Sequence, residues 1–379
     1  EGLKGLILDL RSNPGGLLTS AVDVASQFLP KGSDIVSARG RGFPSVLYRS
    51  RIDPIVDPAT TKLAVLINSN TASAAEIVSG AIQDLDVGVI VGSDRTFGKG
   101  LVQNVEELPF GTALKFTVAK YYTPSGRCIQ STQYTEGIGN KVQDSRYQET
   151  KVQEKDKSVF LTKAGRKVRD GGGIEADYKV SAPKASALEV TLLRSGAMDD
   201  YAAQWSRNNQ LTKDNFVLDE ETYRQFQGFV EEKQKSGEIN LESLYRGPID
   251  DLKQFLKQSG YQGSTKELDE LQSTILKELK KDFVKYRKDI KEDISQAILA
   301  RYYPESFLIE RGIKTDKQIT VATKILKNTP EFDKLLARTT KNTKSSLLTT
   351  QKANQGGSRT FVLQTSSSVQ EHIGFTVHW

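Results

Sequence analysis

The sequence has 379 residues, of which 37% are hydrophobic and 26% charged, with a formal net charge of +6. This length suffices for two or three domains, and no apolar run reaches the length of a membrane span. A charge of +6 spread over so long a chain does not indicate a nucleic-acid-binding protein, and the single cysteine excludes an internal disulfide. We therefore expect a soluble globular protein with no nucleic-acid partner.

The chain opens with an apolar strand, a turn and a helix. Leu3–Leu10 is almost continuously apolar, which is typical of a buried parallel strand. The segment RSNPGG (11–16) follows as a tight turn, and apolar residues recur at helical spacing from Leu18 to Leu29. Residues 34–49 then form a predicted β-ribbon.

A second unit of the same kind follows the ribbon. It has a strand at Leu63–Ile67, a helix at Ala72–Leu85 with Thr71 as its N-cap, and a further strand at Gly88–Val91. Two such units indicate a parallel sheet with helices packed against it. The segment TFGKG (96–100) follows the last of these strands, so it returns to the same sheet edge as the start of the helix.

Ser73 and Lys99 are therefore candidates for a nucleophile and its base. A serine hydroxyl needs a nearby base, and the only histidines, His372 and His378, lie at the extreme C-terminus. Lysine is the remaining candidate, as in Ser-Lys variants of the catalytic triad. A lysine base must be neutral, which requires its pKa to fall from about 10.4 toward roughly 7–8 by desolvation. The small and apolar neighbours of Lys99 predict such a dry environment, and Gln103 is placed to orient the amine.

The start of the predicted helix also suits negative charge, because its first backbone N–H groups have no partner inside the helix. We expect the Ala74 N–H to act as an oxyanion donor. For an arbitrary serine and lysine, an exposed lysine and an ordinary helix-start serine would be the better interpretation. The surrounding motifs reverse that judgement.

Three blocks, LDLRSNPGG, NSNTASAAEIVSGAIQD and TFGKGLVQ, resemble the C-terminal processing peptidases, also called tail-specific proteases. The resemblance implies that Ser73 is the nucleophile, Lys99 the base and Gln103 its support. It also implies that the glycine pair Gly15 and Gly16 supplies the second oxyanion donor. Two departures are visible, since Ala75 stands where the family usually has serine and the loop before Lys99 is one residue longer.

The resemblance further implies an α/β protease core, crotonase-like or ClpP-like, with a helical C-terminal domain. In this family a PDZ domain precedes the first block, and we expect the chain to be a fragment that lacks it. The implied substrates are proteins with unstructured C-terminal tails, and the implied location is the bacterial periplasm or cell envelope, or alternatively the chloroplast lumen. We expect no cofactor and no metal, and the sequence leaves open whether the chain forms a homo-oligomer.

Beyond Val102 the pattern changes to alternating strands. Ala113–Tyr121 predicts a half-buried strand joined to its predecessor by the turn at residues 109–111, and 139–156 predicts a loop. The block YYTPSGRCIQ (121–130) also resembles the peptidases, where this edge lies near the substrate groove; an ordinary hairpin end is an equal alternative. The glycines at 171–173 resemble a family segment that closes the core.

The second half of the chain is predicted to be helical. Helices are expected at 187–194 and 218–235, and a capping box at Ser264–Glu267 opens one long amphipathic helix that continues to Ile298. We predict a peptidase core at 1–185, a helical domain at 186–338 and a low-complexity flexible tail at 339–379. The expected function is that of a serine endopeptidase. The alternatives are a peptide-binding scaffold without catalytic activity and, less favoured, an acyl-CoA enzyme.

Overall fold

The computed structural model describes residues 2–135, 148–181, 185–211, 216–261, 265–337, 360–365 and 375–376. The chain divides into a core unit, residues 1–182 and 316–379, and a helical unit, residues 183–315. The first division lies near the predicted one at 185. The second differs, because residues 316–337 were predicted to belong to the helical domain and instead return to the core unit.

The core unit is built on a six-stranded sheet in the order β12-β5-β4-β1-β13-β14. Its strands are β1 (Gly5–Asp9), β4 (Lys62–Ile67), β5 (Gly88–Gly92), β12 (Tyr178–Lys179), β13 (Thr360–Thr365) and β14 (Phe375–Thr376). β1, β4 and β5 run parallel and are buried on both faces, so their sequences are almost entirely apolar. The predicted α/β core is therefore confirmed.

Two helices follow the strands of the predicted units: α1 (Leu18–Ser26) after β1, and α2 (Ala74–Asp84) between β4 and β5. Every residue of α2 is buried, which places its first turn at the end of the sheet inside the core. Ile77 and Val78 of this helix belong to one apolar cluster with Leu8 and Val65 of the strands.

Two predicted helices of the second half of the chain cluster with the core unit: α10 (Lys317–Lys327) and α11 (Thr329–Leu335). Ile319, Ala322, Ile325 and Leu326 are buried along one side of α10. Leu326 lies over Gly5 of β1, where a Cβ would come within 3.5 Å of its side chain. Because periodicity shows only that a helix has an apolar face, it could not show which surface that face covers.

A second sheet has the order β3-β2-β7-β6. Its strands are β2 (Asp34–Gly40), β3 (Phe43–Arg49), β6 (Leu101–Leu108) and β7 (Thr112–Tyr122). The prediction of a half-buried strand at residues 113–121 is wrong for most of its length. Leu114 is 51% exposed and Phe116 40%, because the β6–β7 hairpin projects beyond the strands that cover its base.

Shorter elements complete the core unit. They are β8 (Thr132–Thr135), β9 (Gln148–Lys151), β10 (Val159–Leu161), β11 (Lys167–Arg169) and two short 3-10 turns at Pro109–Gly111 and Glu154–Asp156. β9 lies inside the segment that was predicted to be loop. β13 pairs in parallel with β1 and antiparallel with β14, so the prediction of a flexible tail at 339–379 is wrong for residues 360–365 and 375–376. The rest of the predicted tail lies outside the described residues.

The helical unit contains seven helices among its described residues: α3 (Ala187–Arg194), α4 (Ala197–Asn208), α5 (Glu220–Lys235), α6 (Ser243–Gln258), α7 (Thr265–Lys285), α8 (Arg287–Leu299) and α9 (Glu305–Thr315). Their core includes Tyr223, Phe226 and Ile294. The predicted single helix to Ile298 is two helices, because Tyr286 leaves helical geometry with φ −105° and ψ 20°. The predicted capping box lies partly outside the described residues.

Within the parts of the chain that the structure covers, the helices are too short or too polar to cross a membrane.

Asp293 gives the helical unit a distinctive pH response. Burial, and then the neighbouring carboxylates of Glu189, Asp289 and Glu292, raise the pKa of Asp293 from its ordinary value of 3.8 to about 6. The folded state therefore holds this proton more tightly than the unfolded state, so stability is lost as pH rises from about 4 through 6.

We expect Asp293→Asn to remove this loss. Since Asp293 is about half buried, the full linkage value is reduced by solvent screening. The stability advantage of the variant should grow by about 1–2 kcal/mol between roughly pH 4.5 and 7.5. Urea unfolding of both proteins across this range measures it, and an advantage that does not change with pH would contradict the assignment.

Candidate active site

Ser73 lies at the junction between the loop after β4 and the first turn of α2. It is the N-cap of α2, with φ 55° and ψ −119°, a conformation that side chains with a Cβ rarely adopt. A serine on a sharp strand-to-helix turn is the arrangement of nucleophile elbows in other hydrolases. The predicted N-cap at Thr71 is wrong, because its hydroxyl instead donates to the Leu10 carbonyl at 2.7 Å and accepts from the Asn68 N–H at 3.0 Å.

The strained conformation of Ser73 can be tested through stability. Ser73→Ala keeps the Cβ and its strain, whereas Ser73→Gly removes both, since glycine adopts positive φ freely. Relief of strain worth roughly 1–3 kcal/mol is offset in part by the greater freedom of unfolded glycine. We expect the Gly variant to be more stable than the Ala variant by about 1 kcal/mol in urea unfolding. A less stable Gly variant would mean that the turn is not strained.

The RSNPGG loop lies directly against the backbone around Ser73. The Ala72 N–H donates to the Asn13 carbonyl at 2.9 Å. A Cβ at Gly15 would lie 2.6 Å from the Ala72 carbonyl oxygen and 2.6 Å from the Ala74 nitrogen, so only glycine permits this approach. The φ of Gly15 is also positive, at 88°.

The two glycines that were predicted to supply one oxyanion donor have different roles in this geometry. The Gly15 N–H donates to the Asn13 side chain at 2.8 Å, so it is already engaged. Gly16 is exposed, and a Cβ there would meet nothing within 4 Å. Ala74 is the first residue of α2, so its N–H has no intrahelical partner. Gly16 and Ala74 are thus the better candidates for donors, and Gly15 provides the close approach.

Glu76 connects the nucleophile to the lysine loop. Its Oε2 accepts from the Ser73 N–H at 2.9 Å and from the Lys99 N–H at 2.8 Å. Its Oε1 accepts from the Gly98 N–H at 2.7 Å and from the Thr96 hydroxyl at 2.5 Å. The side chain is fully buried, with 0% exposure. One carboxylate oxygen therefore holds the backbone of both predicted catalytic residues.

Burial raises the pKa of Glu76, while the hydrogen bonds from Thr96, Lys99, Gly98 and Ser73 act in the opposite direction. All four partners donate, and Thr96 Oγ1 itself accepts from the Ile174 N–H at 2.6 Å. This geometry favours the carboxylate form. Glu76 was not predicted as a site residue, although its position three residues after the N-cap serine is a capping-box signal that could have identified it.

The glycine segment at 171–173 closes over this carboxylate. A Cβ at Gly173 would lie 2.5 Å from Thr96 Oγ1 and 3.0 Å from Glu76 Oε1, so a larger residue would displace both. The Gly171 N–H donates to the Cys128 carbonyl and the Gly173 N–H to the Ile129 carbonyl, each at 2.9 Å.

The lysine loop is supported from a second side by residues 130 and 131. Gln130 Oε1 accepts from the Gly100 N–H at 2.7 Å, and the Ser131 N–H donates to the Gly98 carbonyl at 2.9 Å. Arg127, in the same segment, is fully buried and donates to Asp84 at 2.8 Å and to Gln83 at 2.7 Å at the C-terminal end of α2. The block YYTPSGRCIQ thus contacts the lysine loop through Gln130 and the C-terminal end of α2 through Arg127.

The side chain of Lys99 does not have the dry environment that its neighbours in sequence predicted. It is exposed, and Phe97 is 60% exposed. Gln103 is exposed on β6, next to an irregularity in the pairing with β7. In the described part of the chain, no hydrogen bond joins the side chains of Ser73, Lys99 and Gln103. Their contact in a working site stays a prediction.

Comparisons with known proteins match two parts of the chain. Residues 1–140 match the model of peptidase family S41, and residues 188–326 match that of the C-terminal helical domain described as "Probable PDZ-protease". A carboxy-terminal-processing protease of Bartonella bacilliformis is 47% identical over 139 residues, or 36% of this chain and 31% of the relative. A "Probable CtpA-like serine protease" of Staphylococcus aureus is 39% identical over 129 residues, or 34% of this chain and 26% of the relative.

Among solved structures, a photosystem II D1 C-terminal processing protease is 42% identical to this chain. The match covers 33% of this chain and 32% of the protease, with a TM-score of 0.31. This chain spans about a third or less of the length of the curated relatives it matches. The blocks around Ser73, Lys99 and Gly15 all fall inside the matched residues. The chain is thus similar to peptidase family S41 over residues 1–140 and to the helical domain of PDZ-proteases over residues 188–326.

Proposed function

We propose that this chain is the peptidase core and helical domain of a carboxy-terminal-processing serine endopeptidase. The observation that carries the proposal is the binding of the Ser73 and Lys99 backbones by one oxygen of Glu76. That contact joins the backbones of Ser73 and Lys99 through one group, which supports a hydroxyl and an amine acting in one site. The Gly15 loop lies against the backbone of residues 72–74, which supports Gly16 and Ala74 as the oxyanion donors of this site.

In the proposed mechanism, Ser73 Oγ attacks the scissile carbonyl and its proton passes to the neutral Lys99 amine. The N–H groups of Ala74 and Gly16 stabilise the resulting oxyanion. The lysine ammonium then gives its proton to the leaving amine as the C–N bond breaks, which leaves an acyl group on Ser73. A water then attacks the acyl carbon and gives a proton to Lys99, the C–Oγ bond breaks, and Lys99 returns the proton to Ser73 Oγ. Gln103 orients the amine in each step.

The Bartonella bacilliformis relative is described as a carboxy-terminal-processing protease, so we propose protein substrates with unstructured C-terminal tails. We further propose an exported or lumenal location. The rival function is a peptide-binding scaffold, favoured by β6, which is the edge strand of its sheet and is exposed over most of its length. Strand addition at such an edge would bind peptides without cleaving them.

Cleavage of an unfolded model protein tests the proposal. The wild-type chain is expected to cut it near its C-terminus, and the Ser73→Ala variant is expected to be inactive. An acyl-enzyme trapped by acid quench should carry the added mass on Ser73. Binding of the substrate by both proteins, with no cleavage by either, would favour the scaffold instead.

A further inference from the structure

Arg11 lies in the same loop as Gly15 and ties that loop to a distant part of the chain. Its guanidinium donates through Nε and Nη2 to both oxygens of Asp9, at 2.6–3.1 Å. Through Nη1 it donates to Asp316 at 2.6 Å and to Gln318 at 3.1 Å. One side chain therefore joins the end of β1 to the start of α10.

The partners of Arg11 are themselves fixed. Asp316 is the N-cap of α10, where its Oδ1 accepts from the Gln318 and Ile319 N–H groups at 2.7 and 3.0 Å. Gln318 Nε2 donates to the Val180 carbonyl at 3.2 Å. Val180 and Asp316 are close to the points where the chain leaves the core unit and returns to it. Arg11 is thus anchored on a helix that packs against the main sheet.

The loop beyond Arg11 leads directly to the nucleophile. Ser12 has a positive φ of 56°, and its N–H donates to Asn68 at 2.8 Å. Asn13 accepts from Ala72 through its carbonyl and from Gly15 through its side chain. A shift of Arg11 would therefore be passed to the glycines beside Ser73, where an error of about 1 Å can cost 10²-fold in rate.

We propose that Arg11 is a positioning residue for the oxyanion side of the site, acting through Asp316 and Gln318. The role requires arginine, because a planar fork reaches carboxylates in two directions and a lysine ammonium is a single point charge. This inference rests on the proposed peptidase function for its kinetic consequence. Its structural consequence, a fixed loop at residues 12–17, does not depend on activity.

The test compares Arg11→Lys with Arg166→Lys in the full chain. Arg166 is a matched control, because it also joins two carboxylates, Asp86 at 2.6 Å and Asp177 at 2.5 Å, but lies at the far end of α2. Arg11→Lys should lower kcat by about 10–100-fold with KM changed less than about threefold. Arg166→Lys should lower stability and leave kcat per folded molecule unchanged. Arg49→Lys, at an exposed pair with Asp34, is a milder second control.

Asp316→Asn is a second probe that keeps the helix cap. The asparagine oxygen still accepts from the Gln318 and Ile319 N–H groups, and the NH₂ group then faces Arg11, so both the charge and the hydrogen bond to Arg11 are lost. It should reproduce a smaller kcat loss, about 3–10-fold. In the double variant of Arg11→Lys and Asp316→Asn, the fold loss in kcat should be smaller than the product of the two single losses, because both changes act on one contact.

Hydrogen exchange separates failure of this inference from failure of the proposed function. Arg11→Lys should speed exchange in peptides covering residues 12–17 by at least about tenfold relative to Arg166→Lys. If the wild-type chain cleaves nothing, this exchange result still decides the positioning role. Unchanged exchange in that loop, or an equal kcat loss in Arg166→Lys, would overturn it.

Discussion

Replacing Lys99 by alanine is expected to reduce cleavage of an unfolded protein substrate by roughly 10³-fold or more. Ser73→Ala should cause a similar loss, and the double variant should be no worse than either, because a nucleophile and its base act as one unit. Initial rates at saturating substrate measure the effect. Lys31→Ala, at another exposed lysine in a turn of the core unit, is the matched control and should cleave normally.

Lys99→Arg separates a base from a simple positive charge. A guanidinium keeps its proton throughout the accessible pH range, so an arginine can attract an oxyanion but cannot accept the serine proton. We expect this variant to be as inactive as Lys99→Ala. Substantial cleavage by Lys99→Arg would show that the side chain acts through its charge, and the proposed mechanism would be wrong.

Replacing His372 and His378 together should leave cleavage unchanged, because the proposed base is Lys99 and not a histidine. Initial rates of the double variant and the wild-type chain measure this, and a large loss of activity would contradict a lysine base.

The sequence predicted the core where local patterns are sufficient. The apolar runs at β1, β4 and β5, each followed by a glycine or polar turn, specify parallel strands without tertiary information. Local patterns fail where partners are distant in the chain. The apolar face of α10 covers β1, which lies more than 300 positions earlier, and no periodicity reports such a pairing.

The residues of the candidate site also differ in whether local sequence patterns could identify them. Ser73, Lys99 and Gly15 could be located because they stand in contiguous motifs. Glu76 has a local signal that was overlooked, whereas the support from Gln130 and Gly173 depends on the packing of segments that are far apart. The exposure of Lys99 could not be inferred from apolar neighbours, because a side chain in a loop points independently of theirs.

The second large effect is expected at Glu76, where Glu76→Gln should impair stability and activity together. A carboxylate offers two acceptor oxygens, and here both are used by pairs of donors. Glutamine offers one oxygen and an NH₂ group. If its oxygen serves Ser73 and Lys99, its NH₂ faces the Gly98 N–H, and reversing the amide places NH₂ against Ser73 and Lys99 instead.

Either orientation leaves at least one buried N–H without an acceptor, which costs about 1–3 kcal/mol, and it loses charge-assisted hydrogen bonds as well. We expect urea unfolding to show a loss of about 2–4 kcal/mol. Cleavage per folded molecule should fall by about 10²-fold, because the lysine loop and the nucleophile are no longer held by the same group. Glu76→Asp should also fail, since its shorter side chain cannot reach all four donors.

Glu189→Gln is the matched control, because Glu189 is also a buried capping-box glutamate, in α3 of the helical unit. Its Oε2 accepts from the Ser186 N–H at 2.6 Å, a bond that the glutamine oxygen can replace. This variant should keep full activity and nearly full stability. If Glu76→Gln behaved like Glu189→Gln, Glu76 would be an ordinary helix cap, and the proximity of Ser73 and Lys99 would depend on the other contacts of the lysine loop.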